Sequence, residues 1–162
     1  FEAKVTRGEF AEWAEVHGNR YGTLRRAIRE VMEAGRHVML DIDVQGAMQV
    51  RQARSDAVLV FLMPPSLELL EERLRGRSTD ADEVIERRLL AARREMQTAG
   101  AYDYVVVNRD LEETRRAVAA IVEAERCRAS RLLSPGAAEH EPILSEIRLG
   151  KAGAIPENLE RR

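Results

Sequence analysis

Short apolar segments alternate with longer amphipathic segments along most of the chain, and this alternation limits the possible folds more than any other feature. The apolar segments at 37–42, 57–63 and 104–107 are too short for helices, whereas the segments between them repeat apolar residues at helical spacing. Strands separated by helices of this length run parallel to one another. The pattern therefore predicts an α/β domain built on a parallel sheet.

Turn and capping residues mark the ends of the predicted helices. Gly35 follows a helix predicted over 24–34, and Ser66 suits the N-cap of a helix that reaches about residue 75. The remaining elements are a strand, a turn and three helices, predicted over 9–16, 17–23, 44–53, 81–98 and 111–127.

Charge and composition narrow the class of partner. The 26 Lys and Arg nearly balance the 28 Asp and Glu, which argues against nucleic acid or a membrane as the main partner. Only Lys4 and Lys151 are lysines, and the many arginines suit either phosphate recognition or solvated helix faces. Cys127 stands alone and excludes an intramolecular disulfide, which favours a cytoplasmic location. No apolar run approaches the roughly 18 residues of a membrane span, and no oligomeric state is indicated.

Two aspartates stand where the predicted strand over 37–42 ends. Ligands of open parallel sheets bind beyond the carboxyl ends of the strands, and Asp41 and Asp43 would face the same way there. Two like charges held close together require a cation, a metal or a hydrogen-bond donor between them. The alternative is that one of the two caps the following helix.

A second candidate cluster lies on the first strand and in the turn after it. The Glu12 carboxylate can accept two parallel hydrogen bonds, which matches the adjacent donors of guanine, and the Thr23 hydroxyl can donate to guanine O6. The Tyr21 phenol could bind a phosphate oxygen. The same residues also suit an ordinary turn.

A third candidate cluster consists of arginines on both sides of a polar break at 76–80. Arg73, Arg77 and Arg88, together with a glycine and small hydroxyl residues, suit a flexible lid that closes over phosphates. The alternative is surface ion pairing, of Arg73 with Glu71 or Glu72 and of Arg88 with Glu83.

Five short sequence motifs and one further residue, taken together and in order, closely resemble those of guanylate kinases, the enzymes that phosphorylate GMP with ATP. The resemblance covers residues 1 to about 131, and the series is far more specific than any one motif in it. The motifs are EFAEWA at 9–14, GNRYGT at 18–23, LDIDVQG at 40–46, PPS at 64–66 and RLRGR at 73–77, and the further residue is Asn108.

The resemblance implies a P-loop kinase-like parallel sheet with helices on both faces. It implies a partial kinase domain over 1–131, with a GMP-binding region at 9–23 and a lid at 76–88. Residues 132–162 lie beyond it, and their irregular composition predicts a flexible tail.

The resemblance also assigns roles on the GMP side of the reaction. Glu12 and Thr23 correspond to the residues that recognise guanine, and Tyr21 to one directed at the GMP phosphate. Asp41 and Asp43 correspond to an acidic pair that holds GMP. Asp41 would reach Mg²⁺ only through its water shell, so no direct metal ligand is expected.

On the ATP side, the resemblance makes Arg77 and Arg88 the lid arginines that engage the ATP phosphates and the transferring group. Asn108 corresponds to a residue near the adenine, and Arg73 is grouped with the ATP-binding set. With Asp41, Arg77 and Arg88 form the expected catalytic set. The implied mechanism is in-line transfer of the γ-phosphoryl group from ATP to GMP.

One family feature is missing from the 162 residues. Guanylate kinases begin with a strand and a Gly-rich P-loop, and the only Gly-Lys pair here, at 150–151, does not fit that motif. The absent first strand would lie between the strands predicted at 37–42 and 57–63 and would leave their backbone groups unpaired. We therefore expect this chain alone to be poorly stable and inactive.

Two other functional classes fit parts of the same pattern. One is a non-catalytic guanylate-kinase-like module that binds other proteins, but such modules typically lack part of the acidic and arginine set that is present here. The other is a related small kinase that acts on a phosphorylated sugar. Glu12 together with Thr23 favours guanine over a sugar.

Overall fold

The computed structural model describes residues 1–16, 18–77 and 81–132, with only the backbone of Arg77. The predicted tail from residue 133 onward and lid residues 78–80 lie outside this part. Contacts divide the chain into two compact units, Phe1–Thr114 and Arg115–Arg162. The boundary falls within a helix, and each unit is described by itself.

The first unit begins with a short helix, α1 (Glu2–Thr6), which the sequence analysis did not predict, and an antiparallel hairpin. The hairpin consists of β1 (Phe10–Val16), as predicted, and β2 (Asn19–Leu24). The prediction of a turn throughout 17–23 was wrong, because residues from 19 onward pair with β1. Gly18, at φ +81°, provides the positive φ that allows a much shorter turn.

Helix α2 (Arg25–Glu33) confirms the helix predicted over 24–34, and Gly35 at φ +70° follows its end. The strand predicted over 37–42 is wrong: these residues form no strand and make no backbone hydrogen bonds to other described residues. The segment is apolar enough for a strand. However, a strand also requires a hydrogen-bonded neighbour, and the described part of the chain provides none beside it.

Helix α3 (Val44–Ala53) has the bounds predicted for it. It precedes β3 (Val60–Met63), which pairs in parallel with the later β4 (Tyr104–Val107). The parallel pair confirms the α/β class. Asp103 ties α3 to this sheet, because its carboxylate accepts hydrogen bonds from the Leu59 N–H at 2.7 Å and from Arg51 at 2.5 Å.

The remaining helices are α4 (Leu67–Arg77), α5 (Asp82–Met96) and α6 (Leu111–Arg126), close to their predicted bounds. Ser66 caps α4 as predicted, since its hydroxyl accepts a hydrogen bond from the Leu69 N–H at 3.2 Å. Arg75 joins α4 to α5 by pairing with Asp82 at 2.5 Å. Among the described helices, none is both long and apolar enough to cross a membrane.

The core of the first unit is small. Its buried apolar residues lie mainly on the hairpin, on α3 and on the β3–β4 sheet, and they are Phe10, Ala14, Ala47, Leu59, Phe61, Ile85 and Val106. On the parallel sheet, Leu62 and Val105 remain about half exposed, and Met39 in the unpaired segment is 74% exposed. Part of the parallel sheet is therefore left uncovered by the other described residues.

The described part of the second unit is the later portion of α6 together with α7 (Ala129–Leu132). Its buried polar residue is Glu125, which is 7% exposed. The carboxylate of Glu125 pairs with Arg128 and with Arg131, the latter at 3.1 Å. The burial of this carboxylate is therefore compensated by two cations.

Candidate functional site

The hairpin brings the three residues of the predicted guanine site onto one face. Glu12 is the cross-strand partner of Thr23, and Ala14, two residues further along β1, is the partner of Tyr21. Side chains two residues apart on a strand share a face, and opposed residues on antiparallel strands are near neighbours. Glu12, Tyr21 and Thr23 therefore form one group, which is a structural arrangement rather than an irregular turn.

Glu12 is the most buried acidic side chain in the described part of the chain, with 4% of its surface exposed. No hydrogen-bond or ion-pair donor among the described residues reaches its carboxylate. Its oxygens are not among the fully buried side-chain atoms that lack a hydrogen-bond partner, so they keep a narrow contact with water. A ligand with two N–H donors could replace that water and pair both oxygens.

The two aspartates differ in their surroundings. Asp43 is half-buried and is the N-cap of α3, accepting hydrogen bonds from the Gly46 N–H at 2.9 Å and from the Gln45 side chain at 3.0 Å. Capping, one of the two alternatives, therefore accounts for Asp43. Asp41 is exposed and has no partner among the described residues, so it is available to a ligand.

The negative charge of Asp43 also acts on the phenol of Tyr102, which lies just before β4. Burial raises the pKa of the Tyr102 phenol above its usual value, and the negative charges of Asp43 and Glu95 raise it further. The Tyr102 ring packs edge-on against Phe61 with 5.0 Å between the ring centroids. The Asp43 carboxylate is therefore near enough to the Tyr102 phenol for its charge to disfavour the phenolate.

Arg73 and Asn108 come together at the end of β4. The Arg73 guanidinium donates to the backbone carbonyls of Asn108 at 2.9 Å and of Arg109 at 2.7 Å. The Asn108 side-chain oxygen accepts a hydrogen bond from Thr114 at 3.2 Å. The alternative of an ion pair between Arg73 and Glu71 or Glu72 is wrong, because Arg73 bonds to the two backbone carbonyls instead and Glu71 pairs with Arg75 at 2.8 Å. Arg73 instead holds the chain segment that carries Asn108.

The two predicted lid arginines lie on different helices. Arg77 is the last residue of α4, and Arg88 is half-buried on α5. Residues 78–80, which connect these helices, are outside the described part of the chain, as is the Arg77 side chain. Arg77 and Arg88 lie on either side of the α4–α5 connection, where the lid is predicted. Their contacts with phosphates stay a prediction.

A cavity of about 410 Å³ lies between α1, β1 and α3, and it is lined by Val5, Phe10, Trp13, Gln49 and Gln52 among others. None of the nine predicted site residues lines it. The predicted site is therefore identified by the burial of Glu12 and not by this cavity.

Sequence reasoning assigned no role to Gly46 and Gln49, although both are close to Glu12. The Gln49 side-chain amide bonds to the backbone of Trp13, the residue after Glu12. Gly46 packs directly against the Glu12 carboxylate. A glycine inside a predicted helix is an available signal for such packing, because glycine weakens helices and needs a compensating reason.

Comparisons with known proteins agree with the resemblance in the sequence. The family model described as Guanylate kinase matches residues 1–125. The guanylate kinase of Aromatoleum aromaticum is 54% identical over 128 residues, covering 79% of this chain and 63% of that protein. The guanylate kinase of Chromobacterium violaceum is 53% identical over 130 residues, covering 80% of this chain and 62% of that protein.

A solved structure shows the same likeness in three dimensions. The crystal structure of guanylate kinase from Anaplasma phagocytophilum superposes with a TM-score of 0.68 at 33% identity, covering 92% of this chain and 70% of that one. This likeness confirms the predicted P-loop kinase-like fold class. The chain spans just under two thirds of the length of the two curated relatives named above. With the family model matching most of its residues, the chain belongs to the guanylate kinase family.

Proposed function

We propose that the chain binds GMP on the face of the β1–β2 hairpin and takes part in phosphoryl transfer from ATP to GMP. One observation carries this proposal: the residue Glu12 is only 4% exposed, and its carboxylate has no donor among the described residues. Its cross-strand neighbour is a hydroxyl residue, Thr23. A buried acceptor beside a hydroxyl suits a planar ligand edge with two N–H groups and one carbonyl.

Guanine has such an edge. Its N1–H and 2-amino group can donate side by side to the two oxygens of Glu12, and the Thr23 hydroxyl can donate to O6. Tyr21 is 59% exposed on the same face, and its phenol can reach a phosphate oxygen of the same ligand. Adenine lacks both donors on this edge. The site therefore favours GMP over AMP, because AMP would leave the carboxylate buried and unpaired.

In the transfer step, an oxygen of the GMP phosphate would bond to the γ-phosphorus of ATP. The bond from that phosphorus to the β–γ bridging oxygen would break, and ADP would leave. The chain would contribute positions and positive charge rather than a nucleophile. Arg77 and Arg88 would stabilise the transferring group, and Arg73 would act by holding Asn108 near the adenine.

Mg²⁺ would accompany the phosphates of ATP. The described residues contain no group of three His, Cys, Asp or Glu side chains that could hold a metal by themselves. One exposed carboxylate, Asp41, suits an ion whose ligands are mostly phosphate oxygens and water. Asp41 would then orient the water shell, and Asp43 would hold α3 beside it.

The proposal is tested by titrating the 162-residue chain with GMP, IMP and AMP in a calorimeter. IMP keeps the N1–H but lacks the 2-amino group, so it separates the two hydrogen bonds to Glu12. We expect affinity to fall in the order GMP, IMP, AMP, with each lost charge-assisted hydrogen bond weakening binding by about tenfold or more. Binding is the appropriate measurement because these contacts need no ATP-binding loop.

Equal affinity for GMP and AMP would contradict the proposal, provided that circular dichroism shows a folded chain. Absence of all nucleotide binding by the folded chain would favour the alternative of a protein-binding module. Retained GMP binding without a preference over IMP would leave Glu12 with only one of its two proposed contacts.

A further inference from the structure

Gly46 lies in the first turn of α3, directly against the Glu12 carboxylate. A Cβ atom at this position would lie 2.6 Å from Glu12 Oε2 and 3.3 Å from Glu12 Cδ. The backbone of Gly46 is ordinary helix with no positive φ, so conformational freedom does not explain the glycine. Its missing side chain does, because any Cβ would displace the carboxylate.

Gln49 lies one turn further along the same helix and holds the strand that carries Glu12. Its Nε2 donates to the Trp13 carbonyl at 2.7 Å, and its Oε1 accepts the Trp13 N–H at 3.2 Å. Both groups of one strand residue are therefore paired by one side-chain amide, as a third strand would pair them. This contact fixes the distance between β1 and α3 at the residue next to Glu12.

Asp43 keeps the Glu12 carboxylate available to a ligand. The Gly46 N–H belongs to the helix turn that Glu12 packs against, and it is already bonded to Asp43 Oδ1 at 2.9 Å. The partial positive charge at the start of α3 still favours a carboxylate there. Glu12 is thus stabilised in place by the helix without forming a hydrogen bond that a ligand would have to break.

We propose that Gly46 and Gln49 are positioning residues that set the Glu12 carboxylate for guanine. Gly46 lets the carboxylate approach the first turn of α3, and Gln49 holds β1 at the matching distance. This inference rests on the proposed binding of GMP. It adds that the preference for guanine depends on α3, although neither Gly46 nor Gln49 needs to contact the nucleotide.

The experiment compares GMP and IMP affinities of Gly46→Ala and Gln49→Met with those of matched controls. Gly100→Ala is the glycine control, since a Cβ there meets nothing within 4 Å. Gln52→Met is the glutamine control, on an exposed position of the same helix. We expect Gly46→Ala to weaken GMP binding by about tenfold or more and Gln49→Met by about threefold or more. In both, the GMP-to-IMP preference should shrink, whereas both controls should keep wild-type affinities.

A general loss of structure would not produce this result. Alanine favours helix over glycine, so Gly46→Ala should keep the helical circular dichroism signal while losing guanine preference. In a Glu12→Gln background, Gly46→Ala should weaken GMP binding much less than in the wild type, because the contact it disturbs is already lost. If Gly46→Ala unfolds the chain, Gln49→Met carries the same test.

The outcomes separate this inference from the proposed function. Wild-type GMP preference that persists unchanged in both variants would overturn the inference alone. A wild-type chain that does not prefer GMP to AMP would overturn the proposed function, and the inference with it. Equal loss in a variant and its matched control would also contradict a positioning role.

Discussion

Two buried carboxylates in this molecule have opposite surroundings. Glu125, 7% exposed on α6, pairs with Arg128 and Arg131. Glu12, 4% exposed on the hairpin, has no donor among the described residues. Both side chains are largely buried, but only Glu125 pairs with protein donors, whereas the Glu12 oxygens keep a narrow contact with water.

The difference indicates what each carboxylate does. A buried charge that is fully paired contributes to the local structure, and its arginines are near it in sequence. Glu12 has no protein donor among the described residues, and the first turn of α3 holds it in place by packing and by the partial positive charge of the helix start. Such a residue is better explained by ligand binding than by stability.

The largest effect on stability is expected at Glu125. Glu125→Gln removes two charge-assisted hydrogen bonds and should lower the free energy of unfolding by about 2 kcal/mol. Glu12→Gln replaces an unpaired charge with a neutral amide of the same shape and should leave the free energy unchanged or raise it. Urea denaturation of the two variants beside the wild type checks this contrast. An equal loss in both would mean that Glu12 is also a structural carboxylate.

The aspartates provide a second contrast of the same kind. Asp43 caps α3, so Asp43→Ala should lower the free energy of unfolding by about 1 kcal/mol. Asp41 has no partner among the described residues, so Asp41→Ala should leave the free energy of unfolding unchanged. Thermal denaturation by circular dichroism measures both. A destabilised Asp41→Ala variant would show that the unpaired aspartate supports the fold after all.

The smallest effect is expected at Thr23. Thr23→Val removes the hydroxyl next to Glu12 while keeping the branched shape, and should weaken GMP binding about threefold through the lost bond to O6. Thr23→Ser keeps the hydroxyl and should bind GMP as the wild type does. Fluorescence or calorimetric titration distinguishes the two. If Thr23→Val binds normally, Thr23 contributes packing rather than recognition.

Local patterns predicted much of the fold. The bounds of α3 and β4 agree with the prediction because each has a clear period and clear flanking residues. The hairpin strand β2 was missed because Asn19 and Gly22 are typical of turns, and the strand conformation of this segment depends on its pairing with β1. The segment at 37–42 fails in the opposite way: its composition suits a strand, but pairing depends on a neighbour that composition cannot reveal.

The candidate site shows the same division. Glu12, Tyr21 and Thr23 could be chosen from their chemistry and from the family resemblance, and the register places them on one face. The burial of Glu12 and its missing donors could not be predicted, since they depend on how α3 packs against β1. Gly46 and Gln49 were overlooked for that reason, although a glycine within a helix hints at close packing.

The central claim is that Glu12 is a buried acceptor kept for guanine rather than for stability. The most direct test measures GMP affinity and the free energy of unfolding on the same samples of wild type and Glu12→Gln. We expect Glu12→Gln to bind GMP at least about tenfold more weakly while being no less stable than the wild type. Unchanged GMP affinity, or a loss of stability that accounts for the weaker binding, would contradict the claim.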